Sequence, residues 1–132
     1  MADKVAFELV SPERLLLSAD VDMVVLPGSE GDFGVLPGHA PVVSTLRPGA
    51  LEIYEGDQIS ERYFVNGGFA EVAGARLTVL AEQSIALGDL DRAELEQQIQ
   101  NAREDVADAK DDQARDKAQE RLDQLSEILA TL

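Results

Sequence analysis

Between Pro27 and Pro41 the chain reads Pro-Gly-Ser-Glu-Gly-Asp-Phe-Gly-Val-Leu-Pro-Gly-His-Ala-Pro, a stretch that gathers two carboxylates, Glu30 and Asp32, and the only histidine, His39. Gly28, Gly31 and Gly34 follow G-x-x-G-x-x-G and open no helix. A phosphate loop ends in Lys and Ser or Thr, and a dinucleotide loop needs G-x-G-x-x-G. Neither is present, and Glu30 and Asp32 would repel a phosphate. His39 suggests a proton shuttle. Such a role needs a nucleophile or acid held nearby, and a metal needs further ligands. The sequence supplies no cluster of that kind, so no catalytic and no metal residue is assigned and no cofactor is expected. The residue types fit a pair of tight turns and, compatibly, a rigid exposed loop that docks on another subunit.

The elements that must position this stretch divide at Gly88. All ten glycines, all five prolines and all six aromatic residues lie at or before it, and the last 44 of the 132 residues contain none. Val5, Phe7 and Leu9 alternate with Lys4, Ala6 and Glu8, which marks a strand with one covered face. Ser11-Pro12-Glu13 turns the chain. Further candidate strands are 22–26, 42–46, 50–54, 59–65, 69–72 and 77–81, separated by turn signals at Pro48-Gly49, Glu55-Gly56-Asp57, Asn66-Gly67-Gly68 and Ala73-Gly74. Short strands at this spacing predict a sandwich or barrel over residues 1–88.

Residues 89–132 predict helix. Leu95, Ile99, Ala102, Val106 and Ala109 repeat at spacings of three and four, as do Ala118, Leu122, Leu125, Leu129 and Leu132, giving one apolar seam each. The seams are out of phase, because continuing the first lands on Gln113 and Asp116. The chain is therefore expected to reverse over Lys110-Asp111-Asp112-Gln113 into an antiparallel hairpin. The break carries neither glycine nor proline, which leaves two forms open: a hairpin fixed on the sandwich, or a bistable element that also extends.

Both parts are acidic: five Lys and Arg stand against thirteen Asp and Glu through Gly88, and six against thirteen after it, for a net charge of −15. Such a chain should avoid nucleic acid and anionic lipid, so proteins are the expected partners. The longest uncharged run, Phe33 to Leu46, is interrupted by Gly34, Pro37, Gly38 and Pro41, which argues against direct membrane insertion. The start, Met1-Ala2-Asp3-Lys4-Val5, lacks the apolar stretch of a secretory signal. The absence of cysteine excludes disulfides and thiolate metal sites.

The segment Gly28-Ser29-Glu30-Gly31-Asp32-Phe33-Gly34-Val35-Leu36-Pro37-Gly38-His39-Ala40-Pro41 closely resembles the signature of the epsilon subunit of F-type ATP synthases. Leu9-Val10-Ser11-Pro12-Glu13, Arg47-Pro48-Gly49, Val65-Asn66-Gly67-Gly68-Phe69 and Leu77-Thr78-Val79-Leu80-Ala81-Glu82 sit where that family has similar segments, so the resemblance covers the whole chain. It implies an all-β sandwich of about ten strands followed by a C-terminal antiparallel α-helical hairpin. It also implies a non-catalytic subunit of the central stalk that binds the gamma subunit and the ring of c subunits and couples their rotation to ATP synthesis. Carried over by position, Glu30, Gly31, Asp32 and Phe33 fall in the loop that approaches the c ring, with Asp32 expected to make polar contacts there. His39, Ala40 and Pro41 fall in the gamma-facing stretch.

Family members can also raise the hairpin beside gamma, where it reaches the alpha and beta subunits and impedes ATP hydrolysis. Nucleotide-binding members carry Leu or Ile, Asp, two free positions, Arg, Ala at the hairpin's start. Here Leu90-Asp91 is followed at once by Arg92-Ala93. Losing two residues turns Arg92 by about 200° relative to Asp91, at about 100° per helical residue, so this remnant is not expected to bind ATP. The acidic tail opposes docking near an acidic segment of beta, and weak inhibition is expected. The alternative is an ATP-sensing subunit that blocks hydrolysis through its extended hairpin. The resemblance further implies a peripheral protein on the cytoplasmic face of a bacterial inner membrane.

Overall fold

A computed structural model of the chain describes residues 3–132; Met1 and Ala2, part of the start considered above, lie outside the described residues. The chain divides into two compact units, one ending at Gly88 and one spanning Asp89–Leu132.

The first unit is a β-sandwich of eight strands: β1 (Val5–Val10), β2 (Leu15–Val21), β3 (Met23–Gly28), β4 (Gly31–Val35), β5 (Val42–Thr45), β6 (Gly49–Glu55), β7 (Gln58–Ala73) and β8 (Arg76–Ala86). They follow the order β2-β1-β8-β7-β6-β3-β4, with β5 paired to β7. The two long strands belong to both layers. The first half of β7 pairs with β6 and its last part with β5, while β8 runs antiparallel to β7 over Tyr63–Ala73 and parallel to β1 only over Arg76–Leu80. Counting each long strand once per layer gives the ten that the resemblance implied.

The alternation in β1 does what its period predicts, since Val5, Phe7 and Leu9 are all buried. The β1–β8 register sets Phe7 beside Leu77 and Leu9 beside Val79, so the same face of β8 is buried with them. Val24, Leu26, Val35, Leu51, Ile53 and Val65 join the core from β3, β4, β6 and β7, together with Val21, Leu46, Ala70, Val72 and Ala81. Burying the larger of these side chains contributes about 1.5–3 kcal/mol each.

Two expectations change. Asn66-Gly67-Gly68 does not end a strand, because β7 runs through it and keeps its register with β8 on both sides. The glycines instead let one strand kink between layers: Gly68 has φ +102° and packs directly on the Leu80 carbonyl. β2 and β4 were not expected. The burial of β2 does not alternate cleanly, and β4 (Gly-Asp-Phe-Gly-Val) is two-fifths glycine, a composition that disfavours strand.

The turn expected at Ser11–Glu13 joins β1 to β2, closed by the Ser11 N–H donating to the Arg14 carbonyl at 2.9 Å. Near the start of the sandwich Lys4 Nζ lies 2.6 Å from Asp22 Oδ1 and 3.7 Å from Glu55. Asp22 also accepts the Gly56 N–H. The Lys4 hydrogen bond, helped by Gly56, holds the Asp22 carboxyl below its ordinary 3.8, and the bond to Asp22 holds the Lys4 amine above its ordinary 10.5. A lowered carboxyl stabilises the fold fully above 3.8 and loses that contribution as pH falls through its folded value. The raised amine acts fully below 10.5 and is lost as pH rises through its folded value. Asp22→Asn should therefore melt below wild type at pH 7, with the gap closing under acid; a gap that is constant down to pH 2 would contradict the assignment.

The second unit is a helical hairpin of α1 (Arg92–Asp108) and α2 (Asp112–Thr131), in contact with each other. The reversal falls at Ala109 to Asp111, overlapping the expected Lys110–Gln113 but starting one residue earlier, with Asp112 and Gln113 already in α2. Asp91 caps α1 by accepting from the Ala93 and Glu94 N–H groups, and Asp111 caps α2 by accepting from Ala114. Leu95, Ile99, Ala102 and Leu125 are buried along the predicted seams, and so is Ile128, which the narrow heptad count omitted.

A candidate docking face at the β3–β4 hairpin

The Pro27–Pro41 stretch makes two turns. β3 and β4 pair antiparallel with Leu26 opposite Phe33, Pro27 opposite Asp32 and Gly28 opposite Gly31, which leaves Ser29 and Glu30 as a two-residue tip. Ser29, Glu30, Gly31 and Asp32 are exposed, whereas Phe33 is half-buried and packs on the core. After β4 the chain turns again over Leu36–His39, with the His39 N–H donating to the Leu36 carbonyl at 3.1 Å.

These turns bring the two predicted groups together. The Phe33 and His39 rings lie 6.5 Å apart, tilted by 43°. Glu30, Asp32, Phe33 and His39 line one open groove of about 690 Å³ whose other wall is β5. Ala40 and Pro41 are exposed and lead into that wall. Val42 and Val43 form it, and they are unusually bare for valines, at 37% and 66% exposure. Sequence reasoning treated them as ordinary strand residues, although an edge strand with no alternation was the available signal.

His39 Nδ1 lies 2.7 Å from the Ala40 carbonyl oxygen, which only accepts, so Nδ1 carries the proton. This bond fixes the ring and does not activate a nucleophile. Among the described residues no group of three or more His, Cys, Asp or Glu is placed to hold a metal ion.

Arg47, which the sequence marks only as part of the family-like segment Arg47-Pro48-Gly49, reaches into the hairpin. Its Nη1 donates to the Gly28 carbonyl at 2.7 Å and its Nη2 to Asp32 Oδ1 at 2.5 Å. The main chain adds Ser29 N–H to the Thr45 carbonyl and Arg47 N–H to the Pro27 carbonyl, both at 2.9 Å. The face combines a carboxylate-bearing tip, an aromatic floor and a bare aliphatic wall. That is equipment for binding a protein surface.

Asp91 and Arg92 belong to the helical unit. The Asp91 carboxylate is occupied as the α1 cap, and Arg92 Nε lies 3.4 Å from Glu96 one turn on. Among the described residues no helix is long and apolar enough to cross a membrane.

Comparison with known proteins agrees with this architecture. Residues 4–86 match the family model of the ATP synthase delta/epsilon chain β-sandwich domain. The chain is 57% identical over 132 residues to the ATP synthase epsilon chain of Parvibaculum lavamentivorans, covering 100% of both. It is 52% identical over 128 residues to that of Mesorhizobium japonicum, covering 97% of this chain and 95% of the relative. Among solved structures, a chain of the Euglena gracilis mitochondrial ATP synthase, in an OSCP/F1/c-ring structure, superposes with a TM-score of 0.78 at 26% identity, covering 98% of this chain and 82% of that one. A chain from the central stalk/c-ring structure of the Tetrahymena thermophila enzyme gives 0.59 at 17% identity, with 99% and 98% covered, which shows the shared fold. The sandwich, the hairpin and this degree of identity over the full length together establish that the chain belongs to the epsilon-chain family of ATP synthases.

Proposed function

We propose that this chain is a non-catalytic rotor subunit of a proton-translocating ATP synthase, seated in the central stalk against the gamma subunit and the c ring. It carries c-ring rotation through gamma to ATP synthesis without performing the chemistry. The single observation that carries this reading is the two-walled face at the β3–β4 hairpin, which is exposed and tied to the sandwich, and whose one histidine is bonded to its neighbour's carbonyl. Glu30 to Phe33 address the c ring and His39 to Pro41 address gamma. The Euglena and Tetrahymena neighbours come from assemblies that include a c ring, which supports the same setting. The chain is held at the cytoplasmic face of the membrane through these partners.

The competing reading, an ATP-sensing inhibitor, is disfavoured by the helical unit. Asp91 is committed to its cap and Arg92 lies beside Glu96, so neither is poised for a nucleotide. Like charges on the tail and on an acidic partner surface oppose docking of a raised hairpin. Reconstitution of enzyme lacking this subunit tests both points. The full chain and a chain ending at Gly88 should restore coupled synthesis alike, with equal ATP hydrolysis. A several-fold rise in hydrolysis on truncation would overturn the weak-inhibitor reading, and failure of the full chain to restore synthesis would overturn the rotor reading.

A further inference from the structure

β4 is a poor strand in a weak place. It lies at one end of the strand order, pairs only with β3, and is glycine at two of five positions, so its backbone has more freedom to lose than most. The main-chain bonds that anchor this region all act on the β3 side: Thr45 receives Ser29, Pro27 receives Arg47, and Gly28 bridges Leu46. Among the described residues no main-chain hydrogen bond ties β4 to any strand but β3. One side chain spans both. The Arg47 guanidinium bonds Gly28 at the end of β3 with one arm and Asp32 in β4 with the other.

We propose that Arg47 is the positioning residue of the docking face: its guanidinium clamps the two strands of the hairpin and presents tip and groove as one rigid surface. The inference rests on the docking role argued above. Arginine suits the task because its planar fork serves a carbonyl and a carboxylate at once, whereas a lysine ammonium is a single point on a flexible stem. The Asp32 carboxylate then faces inward to its clamp, although its side chain is 61% exposed. Glu30 makes no ion pair among the described residues and remains the uncompensated charge at the tip. Rigidity matters to docking because a surface already in its bound shape loses less freedom on association.

The test uses the full chain in three variants: Arg47→Lys, Asp32→Asn and Phe33→Ala. Amide exchange is followed over Gly31–Gly34, and binding is measured to ATP synthase stripped of this subunit. Arg47→Lys and Asp32→Asn should each speed exchange there by about fivefold, the scale of one exposed charge-assisted bond. Both should weaken binding by a similar factor, with the melting temperature within a few degrees of wild type. Combining them should add little, since each breaks the same link. Unchanged exchange in both variants overturns the proposal, as does faster exchange with unchanged binding. Phe33→Ala separates this inference from the docking role. If it loses binding while the Arg47 and Asp32 variants do not, the clamp alone fails; if it binds as wild type, the docking face fails and the clamp with it.

Discussion

Gly68→Ala is expected to leave little folded sandwich. A Cβ at this position would stand 1.8 Å from the Leu80 carbonyl oxygen and 3.0 Å from the Ala81 Cα, and both are main-chain atoms of the paired strand that cannot swing aside. The backbone angle, φ +102°, adds strain of about 1–3 kcal/mol for any residue with a side chain. Forcing the paired strands apart to relieve so close a contact adds about 3 kcal/mol or more. A small domain has only about 5–15 kcal/mol in total. Gly74→Ala is the control: its φ is +63° but nothing lies within 4 Å of the added methyl, so only the backbone strain is incurred. Thermal melts followed by circular dichroism should show Gly74→Ala cooperative at a lower temperature and Gly68→Ala without a cooperative transition above about 25 °C. A Gly68→Ala melt within a few degrees of wild type would show that the kink in β7 is not needed.

Gly28→Ala should separate docking from folding. The added methyl meets the Gly31 carbonyl oxygen at 2.8 Å and the Phe33 ring at 2.8 and 2.9 Å. Gly28 and Gly31 flank the two-residue tip, so relief means opening the hairpin or moving the Phe33 ring. Overpacking of this kind costs about 1–3 kcal/mol. Borne by the hairpin, that cost lowers the population of the docking shape and weakens binding to the stripped complex by about 10- to 100-fold. The core residues of β1, β8 and β6 are untouched, so the melt should remain cooperative. Equal affinity for Gly28→Ala and wild type would mean that the tip does not dock.

Much of the architecture was legible in the sequence because it depends on patterns that physics leaves little choice about. The alternation of Val5, Phe7 and Leu9 marked β1, and the seams through Leu95 and Leu125 marked the helices and their reversal. The Asn66-Gly67-Gly68 signal was ambiguous in kind: glycine with positive φ serves a hairpin turn and an in-strand kink alike, and only the partner strand decides. β4 was hidden because its pairing with β3 overrides a glycine-rich composition. At the candidate site, the turn residues and the grouping from Glu30 to His39 were readable. The role of Arg47 was not, because it depends on a contact 15 residues away from Asp32 that no local spacing encodes. The exposure of Val43 had a signal, since Val42-Val43 breaks the alternation of a strand with one covered face, but only the pairing of β5 with β7 alone shows which face is bare.

The central claim is that the β3–β4 face grips the rotor, and single-cysteine cross-linking in the assembled enzyme tests it most directly. The chain contains no cysteine of its own, so Glu30→Cys and His39→Cys can each be labelled uniquely with a photoactivated maleimide. The account predicts a Glu30→Cys adduct to the c subunit and a His39→Cys adduct to gamma. Adducts only to the alpha or beta subunits, or none from either position in fully assembled enzyme, would contradict it.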